Sequence, residues 1–308
     1  MILTEKILLV GEIFFDTIYK GLENLPSKGQ EIFCSDYKTS AGGMAITAVG
    51  MSRLGLDVEL AGAVGSDVQG EYLINKLKQE EVGIKYLKKI EPAVTNNSTA
   101  IVYDGDRSFI SYRGIEDKTE QILQEIAENN NPNNFTRLHI SLAAGNDFMG
   151  LIKKISKMDL NISLVTGWNA AEYYGEHKDE FEEIMHYTDI FFCNELEAKK
   201  ITGFSNMEKA CRYLNTISTA VVTLGEKGAI TYDNKQGFVR SSALKVEFKD
   251  PTGAGDSFIA AYTASINCDF SLLESLKIAN VCASLSTREL GGIDAFPQNM
   301  NEAKKYLN

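Results

Sequence analysis

The segment 250–258, with the sequence DPTGAGDSF, has the residue types best suited to chemistry in this chain. Its small residues allow the backbone to approach a ligand closely, and it is predicted to join a strand to a helix. The N–H groups of such a turn, with the positive end of the helix dipole, would bind charge on a transferred phosphoryl group. Asp256 would lie in the first helical turn and accept a proton from an attacking hydroxyl, once magnesium screens the phosphates. From these residues alone, a helix cap or a packing turn explains the segment equally well.

A second candidate segment, NELE, occupies residues 194–197 directly after a predicted strand. If a helix begins here, Asn194 and Glu197 share one face, where an amide and a carboxylate could hold a metal-bound water near phosphate. The same spacing is typical of a capping box, in which both side chains only complete the hydrogen bonds of the helix end. Taken by itself, the segment favours this purely structural explanation.

A third segment, VVTLGEKG at residues 221–228, is a β-branched strand that ends in glycine-rich backbone. A purine or a ribose could lie against such backbone, although an ordinary hairpin turn explains the glycines more simply. The chain lacks the GxxxxGK[ST] pattern, which excludes the P-loop class of nucleotide-binding proteins.

Residues near the N-terminus could recognise a polyhydroxylated substrate. The carboxylate of Asp16 can accept hydrogen bonds from two adjacent hydroxyls, while Gly42 and Gly43, predicted to open a helix, would let a sugar approach the backbone. The structural alternatives are a solvated loop carboxylate and a turn that starts a helix. Elsewhere, the three histidines lack metal-binding spacing, and Trp168 is expected to pack in the core.

The overall composition narrows the range of functions. The 308 residues are 44% hydrophobic, enough for a large core, and the formal charge of −11, with no basic run, argues against nucleic acid as a partner. The five cysteines are odd in number and have no CxxC spacing, which indicates a reducing compartment, the cytoplasm. The first apolar run has about four residues, too few for a signal peptide or a membrane span, so we expect no membrane partner.

The elements that must position these residues alternate between strands and helices. This order predicts an α/β fold with a doubly wound, mostly parallel sheet, in which ligands bind at the carboxyl ends of the strands. A peripheral strand at residues 31–38 and a hairpin at residues 98–113, turning at Asp104-Gly105, interrupt the order and could form an accessory sheet. The other predicted strands cover residues 7–10, 58–64, 138–142, 162–165, 189–193, 220–224, 228–232 and 237–240. The predicted helices cover residues 42–55, 67–80, 119–128, 147–158, 178–187, 254–267 and 272–290, and residues 129–134 form a loop.

Taken together, the motifs GGMAITAVGMSRLG, NELE, VVTLGEKGA and DPTGAGDSF resemble, in order and approximate spacing, those of the ribokinase family, also called the pfkB carbohydrate kinases. The resemblance extends over about residues 6–297. It implies a three-layer αβα sandwich with a small β-sheet lid that closes over a sugar. It also implies a single kinase domain over residues 1–308, with lid strands inserted at about residues 12–40 and 95–115.

The resemblance also implies roles for individual residues. Asp256 would be the general base, Gly253, Ala254 and Gly255 the anion hole, and Asp16, Gly42 and Gly43 the sugar contacts. The residues implied to contact ATP and its Mg²⁺ are Asn194, Glu197, Thr223, Gly225, Gly228 and Asn280, with Glu197 reaching magnesium through water. Asp250 and Thr252, with the loop at residues 286–292, resemble a site for a monovalent cation such as K⁺.

The implied activity is ATP-dependent phosphorylation of a primary hydroxyl of a monosaccharide. A nucleoside kinase of the same family is the alternative, because Met44 and Trp168 would suit an apolar base. A phosphosugar kinase, with Arg107 and Arg113 as its cations, and a non-catalytic sugar- or nucleotide-binding regulator are less favoured.

Three departures from the family pattern concern the acceptor site. Met44 follows the double glycine where many sugar kinases have a polar residue, and Thr47 stands where Asn is usual. Thr166-Gly167-Trp168 replaces an Asp-x-Asn pattern of many relatives, so an atypical substrate pocket is expected. Because the lid strands would have exposed edges, a homodimer formed through them is also expected.

Overall fold

A computed structural model of the chain describes residues 5–103, 106–128, 135–144, 148–268 and 270–307. Its strands are β1 (Lys6–Val10), β2 (Ile13–Lys20), β3 (Asp36–Gly43), β4 (Asp57–Gly65), β5 (Leu87–Ile90), β6 (Asn97–Tyr103), β7 (Asp106–Tyr112), β8 (Arg137–Ser141), β9 (Asn161–Val165), β10 (Ile190–Asn194), β11 (Thr219–Thr223), β12 (Ala229–Asp233) and β13 (Gly237–Ser241). Its helices are α1 (Met44–Arg53), α2 (Val68–Gln79), α3 (Thr119–Glu128), α4 (Phe148–Ile155), α5 (Trp168–Glu176), α6 (Lys178–Met185), α7 (Glu195–Thr202), α8 (Met207–Asn215), α9 (Ala254–Ile266), α10 (Leu272–Ser286) and α11 (Met300–Lys304).

A nine-stranded sheet forms the middle layer, in the order β13-β12-β11-β10-β9-β8-β1-β4-β5. It is parallel from β11 to β5, and β12 and β13 extend it antiparallel at one edge. Side chains of β1 alternate between two cores: Ile7 and Leu9 pack with α1, α2 and α9–α11, whereas Leu8 and Val10 pack with α3–α8. This double burial explains the unbroken apolar run of β1 and produces the predicted three-layer αβα sandwich.

A separate four-stranded sheet, in the order β3-β2-β6-β7, is the accessory sheet predicted from the sequence. β2 pairs antiparallel with β3 and parallel with β6, and β6 pairs antiparallel with β7. A small cluster of Ile18, Ala100, Val102 and Leu290 fixes one of its faces to the loop that follows α10. The predicted turn at Asp104-Gly105 lies outside the described residues, as do the predicted loop 129–134 and the predicted helix start at residue 147.

Several sequence-predicted boundaries are wrong, each for a physical reason. The strand predicted at residues 31–38 is β3, displaced to residues 36–43 because it pairs with β2 from Lys20↔Asp36 to Ile13↔Gly43. β2 itself was not predicted as a strand, since the buried carboxylate of Asp16 interrupts its apolar pattern. Gly42 and Gly43 end β3 instead of forming the first turn of α1, and α10 ends at Ser286 before the predicted residue 290.

The segment 250–258 also differs from its predicted context. β13 ends at Ser241, and residues 242–250 form no strand, so the turn reaches α9 from an extended loop. β5 and the helices α5, α8 and α11 were not predicted from the sequence. None of the described helices is both long and apolar enough to cross a membrane.

Candidate active site

The glycine turn before α9 has a conformation that its sequence predicts. Gly253 is the N-cap of α9 with φ of 74°, a left-handed conformation that favours glycine. A Cβ atom at this position would lie 2.8 Å from Cδ1 of Ile46 in α1, so the turn also requires a residue without a side chain. The turn therefore places the N-terminus of α9 directly against α1.

The N–H groups of this turn are not equivalent. The Ala254 N–H donates to the carbonyl oxygen of Pro251 at 3.2 Å. No hydrogen bond donated by the N–H groups of Gly253 or Gly255 is found within the described parts of the chain. A Cβ atom on Gly255 would face open space. Gly253 and Gly255 are thus the better candidates for binding an anion at the positive end of α9.

Asp256 lies in the first turn of α9 and is half-buried. Its Oδ1 accepts a hydrogen bond of 3.0 Å from the hydroxyl of Thr47 in α1. Burial raises the pKa of Asp256 to about 6, against the opposing effects of the Thr47 hydrogen bond, its own backbone N–H and the charge of Arg107. At neutral pH the carboxylate is therefore mostly ionised and able to accept a proton.

Asp16 lies in the middle of β2, where its register partners are Ser40 in β3 and Ser98 in β6. Its side chain is buried, with 5% exposed. Burial, and then the charges of Asp256 and Asp250, raise the pKa of Asp16 to about 7. The two sheets thus bring Asp16 close enough to Asp256 for their charges to interact, as expected for an acceptor site beside the base.

Gly42 and Gly43 have specific steric reasons to be glycine. A Cβ atom on Gly42 would lie 2.2 Å from Oδ2 of Asp16, so the absence of a side chain makes room for that carboxylate. Gly43 has φ of 61°, and its Cβ atom would lie 2.5 Å from the carbonyl oxygen of Glu12. Both glycines lie at the junction of β3 with α1, beside the carboxylate of Asp16 that is predicted to contact the acceptor.

Asn194 and Glu197 form the capping box that their spacing indicates. The Glu197 N–H donates to Oδ1 of Asn194 at 2.9 Å, and the Asn194 N–H donates to Oε2 of Glu197 at 2.8 Å, at the start of α7. Burial raises the pKa of Glu197 to about 7 in spite of the hydrogen bonds from Asn194, and the charge of Asp256 contributes to the rise. The charge of Glu197 therefore interacts with that of Asp256, the predicted base.

The residues expected near the nucleotide surround the carboxyl end of β11. Thr223 pairs with Asn194 of β10, and Gly225, with φ of 59°, begins a short 3₁₀ turn (Gly225–Lys227). A Cβ atom on Gly225 would face open space. A Cβ atom on Gly228 would lie 2.0 Å from the Ser241 carbonyl oxygen.

Asn280 in α10 also contacts that carbonyl. Its amide donates a hydrogen bond of 2.9 Å to the oxygen of Ser241, and its side chain is buried. Asn280 and Gly228 thus have structural roles at the end of β13, whereas Gly225 leaves backbone open to a ligand.

Asp250 and Thr252 lie against the loop that follows α10. The buried Asp250 carboxylate accepts hydrogen bonds of 2.9 Å from the N–H groups of Thr252 and Gly291. The Thr252 hydroxyl oxygen is buried and has no hydrogen-bond partner in the described structure. An unpartnered buried oxygen beside a buried carboxylate has the donor chemistry that a monovalent cation requires.

Other residues depart from expectation. Trp168 does not pack in the core: it begins α5 after the carboxyl end of β9, with 53% of its surface exposed. Arg113 forms an ion pair of 2.7 Å with Glu12. The charge of Arg107 lowers the pKa of Asp256, a through-space effect that sequence spacing could not indicate. Among the residues described, no three His, Cys, Asp or Glu side chains are grouped so that they could hold a metal ion.

Comparison with known proteins supports a kinase site. The model of the "pfkB family carbohydrate kinase" matches residues 4–299. A ribokinase of Lactococcus lactis is 26% identical over 98% of this chain and 97% of its own. A nucleoside kinase of Methanocaldococcus jannaschii is 28% identical over 85% of this chain and 83% of its own.

Solved structures have the same fold. A crystal structure of Methanocaldococcus jannaschii nucleoside kinase matches with a TM-score of 0.79 and 24% identity, covering 98% of both chains. The Arabidopsis thaliana ribokinase complexed with ribose and ATP matches with a TM-score of 0.78 and 21% identity, covering 99% of both. At these identities the structural matches establish the ribokinase-like fold, including its smaller second sheet.

Proposed function

Because the chain belongs to the pfkB family of carbohydrate kinases, we propose that it transfers the γ-phosphoryl group of ATP to a primary hydroxyl of a monosaccharide. As a member of this family, the protein is a phosphotransferase with an alcohol group as acceptor. The position of Asp256 supports the proposal most strongly, because this ionisable carboxylate directly follows Gly255 in the chain, and the N–H groups of Gly253 and Gly255 have no acceptor among the described residues. A base and an anion site this close can act on the two reacting oxygens together.

In the proposed mechanism, Asp16 and the backbone at Gly42 and Gly43 orient the sugar. Asp256 then accepts the proton of the primary hydroxyl as its oxygen attacks the γ-phosphorus. The N–H groups of Gly253 and Gly255, with the dipole of α9, stabilise the charge that develops on the phosphoryl oxygens. The backbone around Thr223 and Gly225 holds the nucleotide, while Gly228 and Asn280 support this region at the end of β13.

The buried carboxylates fit the metal ions that kinases of this family require. Kinases of the family use ATP and Mg²⁺. When bound, Mg²⁺ would screen the phosphates, and Glu197 and Asn194 would hold it through water, because the capping box occupies Oε2 of the buried Glu197 carboxylate and not its Oε1. Asp250 and Thr252 would hold a monovalent cation such as K⁺, consistent with the unpartnered Thr252 hydroxyl.

The four-stranded sheet is proposed to be a lid that excludes water from the acceptor, which would suppress ATP hydrolysis. Its edge strand β7 has exposed apolar side chains on both faces, including Phe109 and Ile110. An open, apolar edge strand is a natural pairing surface, so we propose a homodimer formed through these lids. All five cysteines are unpaired, in keeping with the proposed cytoplasmic location.

A nucleoside is the second candidate acceptor. The exposed ring of Trp168 at the carboxyl end of β9 could stack on a base, which a monosaccharide does not have. The similarity to a nucleoside kinase of Methanocaldococcus jannaschii agrees with this alternative.

The proposal is tested by measuring ADP release with a panel of pentoses, hexoses, hexose 6-phosphates, adenosine and inosine. We expect turnover with at least one monosaccharide, and we expect Asp256→Asn to lower kcat by about 10²–10⁴-fold, the usual contribution of a general base. The substitution keeps Oδ1 as an acceptor for Thr47, so the fold should persist. Asp179→Asn is the matched control, because Asp179 also lies in the first turn of a helix, α6, and is exposed.

The outcomes separate the alternatives. Turnover by Asp256→Asn equal to that of the unmodified enzyme would contradict the assignment of the base. If adenosine or inosine is phosphorylated in preference to the sugars, the acceptor is a nucleoside and not a monosaccharide. Tight binding of a panel member without ADP release would instead support a non-catalytic regulator.

A further inference from the structure

The hydrogen bond between Thr47 and Asp256 connects residues 209 positions apart in the chain. Thr47 is fully buried in α1. A threonine hydroxyl inside a helix usually donates to a carbonyl of the preceding turn of the same helix. Here the Thr47 hydroxyl donates across the helix interface to Oδ1 of Asp256. The side chain is thus directed toward the proposed base.

The packing of α1 on α9 holds this hydrogen bond in place. Gly50 lies one turn after Thr47 on the same side of α1, and its Cβ atom, if present, would lie 2.7 Å from Cβ of Ala260. Ala260 in turn lies one turn after Asp256 in α9. The two helices therefore meet at the closest distance that their side chains allow, directly beside the Thr47–Asp256 pair.

The hydrogen bond distinguishes the two carboxylate oxygens. Because Oδ1 accepts the Thr47 hydroxyl proton, Oδ2 remains as the oxygen that can take a proton from an acceptor. The charged neighbours of Asp256 are Asp16 in β2, Glu197 in α7 and Arg107 in β7. Burial is the main factor that opposes a negative charge on Asp256, and two of these three neighbours oppose it as well. A neutral hydrogen-bond donor that favours the carboxylate therefore has a large effect there.

We propose, resting on the function proposed above, that Thr47 is a positioning residue that holds Oδ1 of Asp256, so that Oδ2 is the basic oxygen and the carboxylate stays ionised beside Asp16 and Glu197.

The proposal is tested without any substrate by titrating Asp256 in the intact protein. Aspartate labelled with ¹³C at Cγ is followed by NMR as a function of pH, and the Asp256 signal is identified by its loss in Asp256→Asn. We expect Thr47→Val to raise the pKa of Asp256 by about one to two pH units, because it removes a hydrogen bond to a charged group while keeping the side-chain shape. Thr47→Ser should restore the pKa to within about half a unit.

Thr263→Val is the matched control, since Thr263 is buried in α9 and its hydroxyl has no partner in the part of the chain that the structure describes. It should leave the Asp256 titration unchanged. An unchanged Asp256 pKa in Thr47→Val, or an equal rise in Thr263→Val, would overturn the proposal. Thr47→Ala, which also lacks the hydroxyl, provides the same test if the valine variant does not fold.

A kinetic measurement separates this proposal from the proposed function. With the acceptor that the panel identifies, Thr47→Val should shift the acidic limb of the kcat profile upward by about one to two pH units. The KM for ATP should not change. If no acceptor is phosphorylated, the proposed function fails while the NMR titration still tests the role of Thr47.

Discussion

Replacing the buried carboxylate of Asp16 by an amide should stabilise the fold while it impairs acceptor binding. Asp16 is 5% exposed. Among the described residues, no hydrogen bond to its carboxylate offsets the effect of burial on its pKa. Its pKa rises from 3.8 to about 7 through burial and the charges of Asp256 and Asp250. Without a bound acceptor, the buried negative charge of this carboxylate lowers the stability of the folded chain, and Asp16→Asn removes that charge.

The sign and size of the effect follow from the two pKa values. Because the pKa is higher in the folded chain than in the unfolded chain, the folded state binds more protons between pH 3.8 and about 7. The free energy of unfolding therefore falls by about 1.4 kcal/mol per pH unit across this window, and the loss is complete above it. Asn is neutral throughout, so Asp16→Asn should be more stable above pH 7 by up to about 4 kcal/mol, and unchanged below pH 3.8.

Urea unfolding followed by circular dichroism between pH 4 and pH 8 measures this difference. Asp36→Asn, at the exposed start of β3 in the same sheet, should change stability by less than about 0.5 kcal/mol at every pH. The reasoning is refuted if Asp16→Asn is no more stable at pH 8 than the unmodified protein, or if its gain is equal at pH 4 and pH 8. Isothermal titration calorimetry with the acceptor that the panel identifies should show at least tenfold weaker binding to Asp16→Asn than to the unmodified protein. The reason is that the acceptor loses its hydrogen bonds to a charged oxygen.

Further predictions concern the loop and the turn that flank α9. Asp250→Asn should lower the free energy of unfolding by about 2–4 kcal/mol, because its amide group cannot accept from both the Thr252 and the Gly291 N–H; a change below about 0.5 kcal/mol would contradict this reasoning. Gly253→Ala should cost about 1–2 kcal/mol in urea unfolding, because φ of 74° is unfavourable for alanine and its Cβ atom would approach Ile46. Gly255→Ala should leave the free energy of unfolding unchanged or raise it by up to about 1 kcal/mol, since its Cβ atom meets open space. It should still lower kcat, because the phosphoryl group is proposed to approach this residue. Equal destabilisation by the two alanine substitutions would refute the difference between Gly253 and Gly255.

The local features of the site could be predicted because they depend on neighbouring residues. Spacing alone predicted the capping box of Asn194 and Glu197, and the structure contains it. The position of Asp256 in the first turn of α9 follows from the small residues before it, since they favour a turn and cannot extend a strand. The alternation of strands and helices could also be predicted from the sequence. It specifies a doubly wound sheet in which ligands bind at the carboxyl ends of the strands.

Boundaries at the junction of the two sheets could not be predicted in this way. β2 contains Asp16 among apolar residues, so its pattern does not show a strand, and its pairing with both β3 and β6 is what makes it one. Trp168 was expected in the core on the basis of residue type, but α5 begins at the sheet edge and directs it outward. Burial depends on where an element lies in the fold, which residue type does not encode.

The sequence by itself determined the α/β class, the strand-end location of NELE and VVTLGEKG, and the family to which the motifs belong, because these depend on periodicity and on short contiguous segments. Only the tertiary structure decided that Asp16, Thr47 and Arg107 act on Asp256. These residues come from β2, α1 and β7, and their mutual distances depend on how the two sheets and the helices pack. The tertiary structure also sets the pKa values of the carboxylates, because desolvation and charge interaction act through space and not along the chain.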